Sequence, residues 1–371
     1  MKKKTKKILS LLLVLCMMLS LVACAKDDAP VSTDGDKQGT EDKADKTDEG
    51  NKADTGKKLK FGVLIRTFSD TYTTTVRTNM EKYMKEAGID YEIMDANDSQ
   101  ATQNEQLESL LSKGVDCLIV QTVNVSASEG ILNSAVEAGI PVVFFNHEPD
   151  KLELLEKEDT TVFVGTNSPE AGYMQADLFE QFWGKDGNGF DRNKDGVAQC
   201  VVFQGSPESQ EALDRSQYCI EGAEDKGYKF EKLADNYLCN WDATLAQEAM
   251  TAFLGTHEDE IEVVFCNNDS MAEGVVAALN AIGYNTGKEG DPSVLVFGVD
   301  ATDAGVQLID DGKMQGTVKQ DGDAMAKTNV ELAIRFANGM TKKEAVADYG
   351  LTIFDGDNAS VRINYAAYTK Q

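Results

Sequence analysis

Short apolar stretches rich in β-branched residues alternate with longer amphipathic stretches along most of this chain. The strand patterns of a first series are "LKFGVLI" (59–65), "DYEIMDA", "DCLIVQT" and "IPVVFFN", and the helix patterns between them end at glycine. A second series begins near residue 160 with "TTVFVGT" and continues with "VAQCVVFQG", "YKFEKLA", "IEVVFCNN", "SVLVFGVD" and "QGTVKQ". Continuous apolar strands that alternate with helices predict parallel sheets covered on both faces. The two series therefore predict an α/β fold of two lobes.

Polar side chains stand where several of these strand patterns end. Open parallel sheets bind ligands beyond the carboxyl ends of their strands, so the set predicts a ligand site. Taken singly, each residue has the alternative interpretation of a helix cap or turn, which Asn and Asp favour. The set is Asn146, Asn268, Asp300 and Gln320, with Asp70 and Tyr72 in the segment "RTFSDTY" after the first strand.

Residues 1–23 have the pattern of an export signal. The basic segment "MKKKTKK" precedes the apolar run "ILSLLLVLCMMLS", which is short for a membrane span. The following "LVAC" is similar to the lipobox of bacterial lipoproteins, which implies cleavage before Cys24 and lipidation of that cysteine. Several acyl chains on one residue would anchor the protein stably to a membrane. The alternative is an uncleaved signal anchor.

Residues 24–57 contain almost no large apolar side chains and are rich in Asp, Lys, Thr and Gly. Such a stretch cannot bury enough apolar surface to order itself, so we expect a disordered acidic linker after the lipidated cysteine. The chain from residue 58 onward is long enough for two α/β domains.

The chain is strongly acidic, with 36 Lys and Arg against 63 Asp and Glu and a net charge of −27. Phosphates would be repelled by this charge, so a nucleic-acid partner is not predicted.

Cysteine and histidine usage argues against a fully disulfide-bonded fold and against a zinc or His-based catalytic centre. Cys117, Cys200 and Cys266 lie within apolar strand patterns, so we predict small buried side chains there. Five cysteines follow the lipobox, and an odd number argues against a fully paired disulfide set. With only two His and no CxxC, the chain is not predicted to hold zinc or a His-based catalytic centre.

The segment "DRNKDGVAQCVV" (191–202) matches the first half of an EF-hand calcium loop. Asp191, Asn193 and Asp195 stand at alternate positions, and Gly196 follows at the turn. Position twelve, where that pattern has a Glu, is Val202. The residues alone leave three interpretations open: a chance match, an inactive loop, or a site closed by a carboxylate from elsewhere in the chain.

These features together resemble one protein family. The matching stretches are "LKFGVLIRTFSDTY", "LLSKGVDCLIV", "IPVVFFNHEP", "VGTNSPEAG", "DRNKDGVAQ", "IEVVFCNNDSMAEGVVAAL" and "VFGVDAT". From residue 58 to 371 the chain is similar to type I periplasmic binding proteins, and more narrowly to the galactose/glucose-binding receptors of bacterial sugar ABC importers. The pairing of "FFN-x-EP" with the calcium loop is the specific part of this resemblance.

The resemblance implies a structural Ca²⁺ site. In that family a Glu at the start of a distant strand completes the loop, and here this position is Glu262 in "IEVV". All donors would then be oxygens, which calcium prefers. A solvated turn rich in Asp and Asn is the alternative. The implied ligands are Asp191, Asn193, Asp195, the Val197 carbonyl, Gln199 and Glu262.

The resemblance also implies a sugar site of polar groups between two aromatic faces. Aromatic rings suit the apolar faces of a pyranose, and charged or bidentate groups bind its hydroxyls strongly. The residues that stand where the family hydrogen-bonds hydroxyls are Asp70, Asn146, Arg215, Asn268 and Asp300. Tyr72 and Trp241 stand where it stacks the sugar, with Tyr72 in place of the usual Phe. Trp241 as an ordinary core residue and Arg215 as a surface ion-pair residue are the alternatives.

Three positions of this implied pocket depart from the family pattern. Ser209, Glu211 and Gln320 replace the usual His, Asp and Asn. Ser is shorter than His, whereas Glu and Gln are each one methylene longer than the residues they replace. The departures leave the identity of the hexose open and allow a related sugar or a glycoside.

The implied mechanism is a clamp of two Rossmann-like lobes with a three-strand hinge, which closes on one monosaccharide and docks on the membrane subunits of an ABC permease. The chain would cross between lobes near 163–166, 320 and 350–356. The N-terminal lobe would comprise 58–164 and 321–350, and the C-terminal lobe 165–320 and 351–371. We expect a lipid-anchored monomer on the extracytoplasmic face of the cell membrane.

Other classes of function are less well supported. A sugar-sensing repressor needs a DNA-binding head, whereas this chain begins with a leader and an acidic linker. An enzyme needs a nucleophile and a base, and the sequence has neither "GxSxG" nor "HExxH". A calcium-binding structural protein leaves the polar set unexplained. A sugar receptor that signals to a kinase or chemotaxis partner stays open, because the same clamp serves both roles.

Overall fold

The computed structural model of the protein describes residues 58–156, 158–347 and 360–370. The predicted leader, Cys24 and the linker lie outside the described residues. Across the described ranges, no helix is long and apolar enough to cross a membrane.

The first lobe is built on a sheet of six parallel strands. Its strands are β1 (Lys60–Ile65), β2 (Asp90–Asp95), β3 (Cys117–Val120), β4 (Val142–Phe145), β5 (Thr161–Gly165) and β12 (Ser360–Arg362). They follow the order β12-β5-β4-β3-β1-β2, and every neighbouring pair is parallel. Its helices are α1 (Thr71–Glu86), α2 (Gln100–Ser112), α3 (Ser128–Glu137), α4 (Glu153–Glu156), α10 (Gly322–Ala337) and α11 (Lys342–Val346).

The second lobe repeats this plan with one antiparallel edge. Its strands are β6 (Ala198–Gln204), β7 (Phe230–Lys232), β8 (Tyr237–Leu238), β9 (Val263–Cys266), β10 (Leu295–Asp300), β11 (Gly316–Gln320) and β13 (Tyr365–Thr369). The order is β13-β11-β10-β9-β6-β7, β8 also pairs with β6, and only the pair of β11 with β13 is antiparallel among the described strands. Its helices are α5 (Ser168–Trp183), α6 (Gln210–Glu224), α7 (Ala243–His257), α8 (Asp269–Ala281) and α9 (Asp303–Asp310).

Both faces of each sheet are covered, which explains why the strands are continuously apolar. Successive side chains of a strand point to opposite faces. In β1, Val63 and Ile65 pack in the cluster formed with α1 and α10, whereas Leu64 packs in the cluster formed with α2 and α3. The two-lobed α/β prediction is therefore confirmed.

The predicted burial of Cys117, Cys200 and Cys266 is confirmed, since each is fully buried within its strand. The five cysteines that the structure describes are all free thiols, so Cys219 and Cys239 do not pair.

The described chain passes between the lobes after β5, after β11 and after β12. The first two passages lie near the predicted positions 163–166 and 320. The pattern at Thr161–Gly165 opens the second series in the sequence but pairs with β4 in the first sheet, within the lobe predicted for 58–164. The last crossing, predicted at 350–356, lies at 363–364, because Ser360–Arg362 pairs with β5 of the first lobe. A three-residue strand carries too little periodicity to reveal which sheet it joins.

Candidate ligand-binding cleft

A cavity, here called the inner cavity, lies between the lobes at the carboxyl ends of both sheets, and its empty space is about 370 Å³, part of which is open to solvent. All ten residues that the sequence analysis assigned to a ligand site line it. They are Asp70, Tyr72, Asn146, Ser209, Glu211, Arg215, Trp241, Asn268, Asp300 and Gln320. Four residues that the sequence analysis did not select also line it: Arg66, Thr73, Gln121 and His147. Residues from both lobes therefore line one shared space.

The first-lobe wall is held by a short network of amides and carboxylate. Asp70 caps α1, and its carboxylate accepts a hydrogen bond from the Thr73 backbone N–H at 2.6 Å. The Gln121 amide donates to the Asn146 Oδ1 at 2.7 Å and to the Thr73 hydroxyl at 3.1 Å. Asn146 has a φ of 62°, a left-handed conformation that Asn tolerates better than most residues. These contacts fix the orientation of the polar groups before any ligand arrives.

His147 and Arg66 complete this wall. The His147 Nδ1 lies 2.9 Å from the Thr122 carbonyl, so this ring nitrogen carries the proton and donates. Burial, aided by the charge of Arg66, lowers the pKa of His147 to about 3. The imidazole is therefore neutral at physiological pH. Arg66 forms an ion pair with Asp98 at 2.9 Å, but its buried Nε has no partner among the described residues.

Arg215 is the centre of the second-lobe wall. The side chain is only 3% exposed, which excludes the surface ion-pair alternative. It donates to the Asn267 carbonyl at 2.9 Å, to the Gln320 Oε1 at 2.9 Å and to the Tyr365 hydroxyl at 2.8 Å. Its buried Nε has no partner in the described part of the chain.

Asp300 ends β10 with its backbone at a φ of 120° and its side chain buried. Its carboxylate has no hydrogen-bond partner among the side chains and backbone that the structure describes. Burial raises the pKa of Asp300 well above its usual range, and the charge of Arg215 offsets this effect only in part. The Asp300 carboxyl group is therefore available to a ligand, and its ionised form is disfavoured in this site.

The two aromatic residues come from opposite lobes. Tyr72 lies on α1 and donates its hydroxyl to the Met325 sulfur at 3.4 Å. Trp241 has a φ of 67°, and its indole packs so closely on Gly205 that a Cβ there would lie 2.3 Å from a ring atom. Trp241 belongs to the second-lobe core cluster and also lines the cavity, and its buried Nε1 has no partner in the described ranges.

The remaining wall residues are bonded to their neighbours. Asn268 caps α8 and accepts from the Met271 backbone N–H at 2.9 Å. Ser209 caps α6 and donates to the Glu211 Oε2 at 2.7 Å. The other carboxylate oxygen of Glu211 accepts from the Glu148 backbone N–H of the first lobe at 3.2 Å. Two of the three departures from the family pattern thus contact each other and reach across the cleft.

The signal that would have found Gln121 was present in the sequence, since this residue directly follows β3 as Asn146 follows β4. Tyr365 has no such signal. Its hydroxyl lies 2.6 Å from the Thr166 hydroxyl and accepts from Arg215. Only the antiparallel pairing of β13 with β11 places it beside the cavity.

The calcium-like loop is also closed by a distant carboxylate. The Glu262 side chain accepts from the Arg192 backbone N–H at 2.6 Å and from the Gln199 backbone N–H at 3.1 Å. The buried Asp191 Oδ1 and Gln199 Oε1 have no hydrogen-bond partner in the described residues. Within those residues, however, no group of three or more His, Cys, Asp or Glu side chains is arranged to hold a metal ion.

Asn193, Asp195 and Val197 lie in the same loop. The Asp195 carboxylate accepts from the Val197 backbone N–H at 2.8 Å, and the Asn193 Oδ1 accepts from the Asp195 backbone N–H at 2.9 Å. The loop is therefore held by its own turn bonds as well as by Glu262.

Two α/β lobes that enclose a polar and aromatic cavity at their strand ends define a two-lobed ligand-binding protein. The family model described as "Periplasmic binding protein domain" matches residues 61–341. This chain belongs to that family, and it is a binding protein rather than an enzyme.

The relatives cover most of the chain. It is 33% identical over 314 residues to the D-galactose/methyl-galactoside binding periplasmic protein MglB of Haemophilus influenzae, covering 84% of this chain and 89% of that protein. It is 28% identical over 305 residues to the putative rhizopine-binding protein of Rhizobium meliloti, covering 80% and 93%. An ABC transporter solute binding protein from Bacillus halodurans, solved with bound myo-inositol, superposes with a TM-score of 0.66 at 25% identity, covering 84% and 94%.

Proposed function

We propose that this chain binds a monosaccharide, galactose or glucose, in the inner cavity. The observation that carries the proposal is that one cavity holds two aromatic rings from opposite lobes together with buried polar groups that lack partners. The Arg66 Nε, the Arg215 Nε and the Trp241 Nε1 are buried and have no hydrogen-bond partner within the described residues. Each unsatisfied buried group costs roughly 1–3 kcal/mol, and sugar hydroxyls would remove that cost.

Galactose is favoured by the 33% identity to the Haemophilus influenzae protein named for D-galactose and methyl-galactoside. A different hexose or a glycoside is the second candidate, because the relatives named for rhizopine and crystallised with myo-inositol are also similar. Ser209 and Glu211 favour this second candidate, since their mutual hydrogen bond gives this side of the cavity a shape that His and Asp would not.

Ligand binding would close the clamp. Both lobes line the cavity, so a sugar bonded to both binds the closed state more tightly than the open one. Periplasmic binding proteins are themselves a standard example of hinge closure around a ligand. The closed form would deliver the sugar to the membrane subunits of an ABC permease, with the chain held at the extracytoplasmic surface by lipid on Cys24. A signalling or chemotaxis partner is the alternative recipient.

We also propose structural Ca²⁺ in the loop at 191–199. The unpartnered oxygens of Asp191 and Gln199 and the carboxylate of Glu262 are the hard donors that this ion takes. Bound calcium would neutralise the clustered acids and hold the loop against the start of β9.

A thermal-shift screen of the full-length protein against monosaccharides, with and without calcium, tests these proposals. A sugar that binds only the folded form raises the melting temperature. Galactose or glucose should produce such a rise, and no response to any hexose would contradict sugar binding.

The anchor is tested by fractionation of cells that express Cys24→Ala, which should leave the membrane fraction. Growth on the bound sugar after deletion of the gene separates transport from sensing. Loss of growth would indicate a role in uptake, and unchanged growth would favour a signalling role.

A further inference from the structure

A second cavity, here called the outer cavity, adjoins the inner one at the mouth of the cleft. Its volume is about 1450 Å³, part of which is open to solvent. Both lobes contribute to its wall, and it shares Arg66, Asp70 and Trp241 with the inner cavity. The two cavities are therefore direct neighbours that share one wall.

The shared wall presents unsatisfied donors. Arg66 is 8% exposed and Trp241 is 9% exposed, and the Arg66 Nε and the Trp241 Nε1 have no partners in the described part of the chain. On the far wall, the buried Glu273 Oε1 likewise lacks a partner among the described residues. A ligand with hydroxyls on both sides of the shared wall would satisfy more of these atoms than a single sugar ring in the inner cavity.

The charge of the outer cavity restricts what such an extension can be. Four acids line it, namely Asp70, Asp98, Asp242 and Glu273. Among the described residues that line it, Arg66 is the single cation, and it already pairs with Asp98. The excess of carboxylates would repel a phosphorylated or carboxylated group. A neutral group with hydroxyls to donate fits this wall.

Apolar surface is also available beside these acids. Trp241 faces both cavities, and Leu245 in the first turn of α7 is 43% exposed and lines only the outer one. A ring with hydroxyls on its edge and C–H groups on its faces matches carboxylates and apolar side chains placed side by side.

We propose that the natural ligand is a neutral short glycoside, whose terminal hexose fills the inner cavity and whose next sugar unit fills the outer cavity. This inference rests on the proposed sugar-binding function. It extends that function by naming a second subsite and the class of ligand that occupies it.

The test is calorimetric titration of the full-length protein in detergent with galactose and glucose, and with the disaccharides melibiose, lactose, cellobiose and maltose. At least one disaccharide should bind on the order of tenfold more tightly than its terminal monosaccharide, because added ring contacts and hydrogen bonds each contribute to affinity. Leu245→Trp, which fills the outer cavity, should remove that gain and leave monosaccharide affinity unchanged. Leu213→Trp is the matched control, since Leu213 is also 43% exposed and lines neither cavity.

Tight monosaccharide binding with weaker or absent disaccharide binding would overturn the outer subsite and leave the proposed function standing. The same conclusion would follow if Leu245→Trp left the disaccharide gain intact. Absence of binding by every sugar in the panel would overturn the proposed function together with the subsite.

Discussion

The guanidinium of Arg215 donates to the hydroxyl of Tyr365 at 2.8 Å, and this bond joins the cavity wall to the hinge. The same hydroxyl lies 2.6 Å from the hydroxyl of Thr166, and Arg215 also donates to Gln320 at 2.9 Å. Thr166, Gln320 and Tyr365 each lie beside a different one of the three passages between the lobes. One buried cation in the wall of the inner cavity is thus connected to all three hinge segments.

Replacing Tyr365 with Phe should weaken both the hinge and the ligand site. The change removes the bonds to Arg215 and Thr166, and each net hydrogen bond contributes about 0.5–1.5 kcal/mol. We expect the free energy of unfolding to fall by about 1–3 kcal/mol in urea denaturation, and sugar affinity to fall in calorimetry. Tyr368→Phe on the same strand is the control, because the described structure gives the Tyr368 hydroxyl no hydrogen bond. Equal effects of the two substitutions would contradict a hinge role for Tyr365.

Gly205→Ala should reduce sugar affinity although Gly205 does not line the inner cavity. An added Cβ would lie 2.3 Å from the Trp241 ring, so the indole must move away from its present position. We expect affinity to fall on the order of tenfold, since an aromatic contact contributes roughly 0.5–1.5 kcal/mol beyond the area that it buries. Gly255→Ala in α7 has no atom within 4 Å of the new methyl and should leave affinity unchanged. An unchanged affinity in Gly205→Ala would show that the indole position does not matter.

Asp300→Asn should stabilise the sugar-free protein near neutral pH while weakening sugar binding. Burial raises the pKa of Asp300, so the folded state disfavours its ionised form. In the unfolded chain an Asp ionises above pH of about 4. The stability of the wild type should therefore decline as pH rises from that point towards the folded pKa, because the unfolded state releases its proton first.

Asn cannot ionise, so Asp300→Asn should not lose stability as the pH rises. The melting temperature of Asp300→Asn should exceed that of the wild type at pH 7, and the difference should shrink as the pH approaches 4. Melting curves over this pH range check the prediction. A difference that stays constant with pH would assign the effect to something other than ionisation.

Glu262→Gln should make the protein insensitive to calcium. Gln keeps one oxygen that can accept from the backbone but lacks the charge that binds the ion. The wild type should melt at a lower temperature in excess chelator, and Glu262→Gln should melt at a similar temperature with or without it. Glu289→Gln, at an exposed position, should keep the chelator response of the wild type. If excess chelator left the melting temperature of the wild type unchanged, the calcium proposal would be contradicted.

The sequence predicted many of the residues that line the inner cavity, because polar side chains stand at the carboxyl ends of apolar strands. Asp300 and Gln320 end apolar strands and Asn146 directly follows one, and the carboxyl ends of parallel strands meet at one edge of a sheet. The same reasoning applied to β3 would have predicted Gln121. Arg66 carried the same signal, since it directly follows β1, but its ion pair with Asp98 is visible only in the structure.

The apolar periodicity of the chain by itself determined two α/β lobes, because strands buried on both faces and helices buried on one leave different patterns. Tertiary structure alone decided that Ser360–Arg362 joins the first sheet, that Tyr365 reaches Arg215, and that a second cavity opens beside the first. These features depend on contacts between segments far apart in the chain, and the free energy of such contacts has no counterpart in any local pattern of residues.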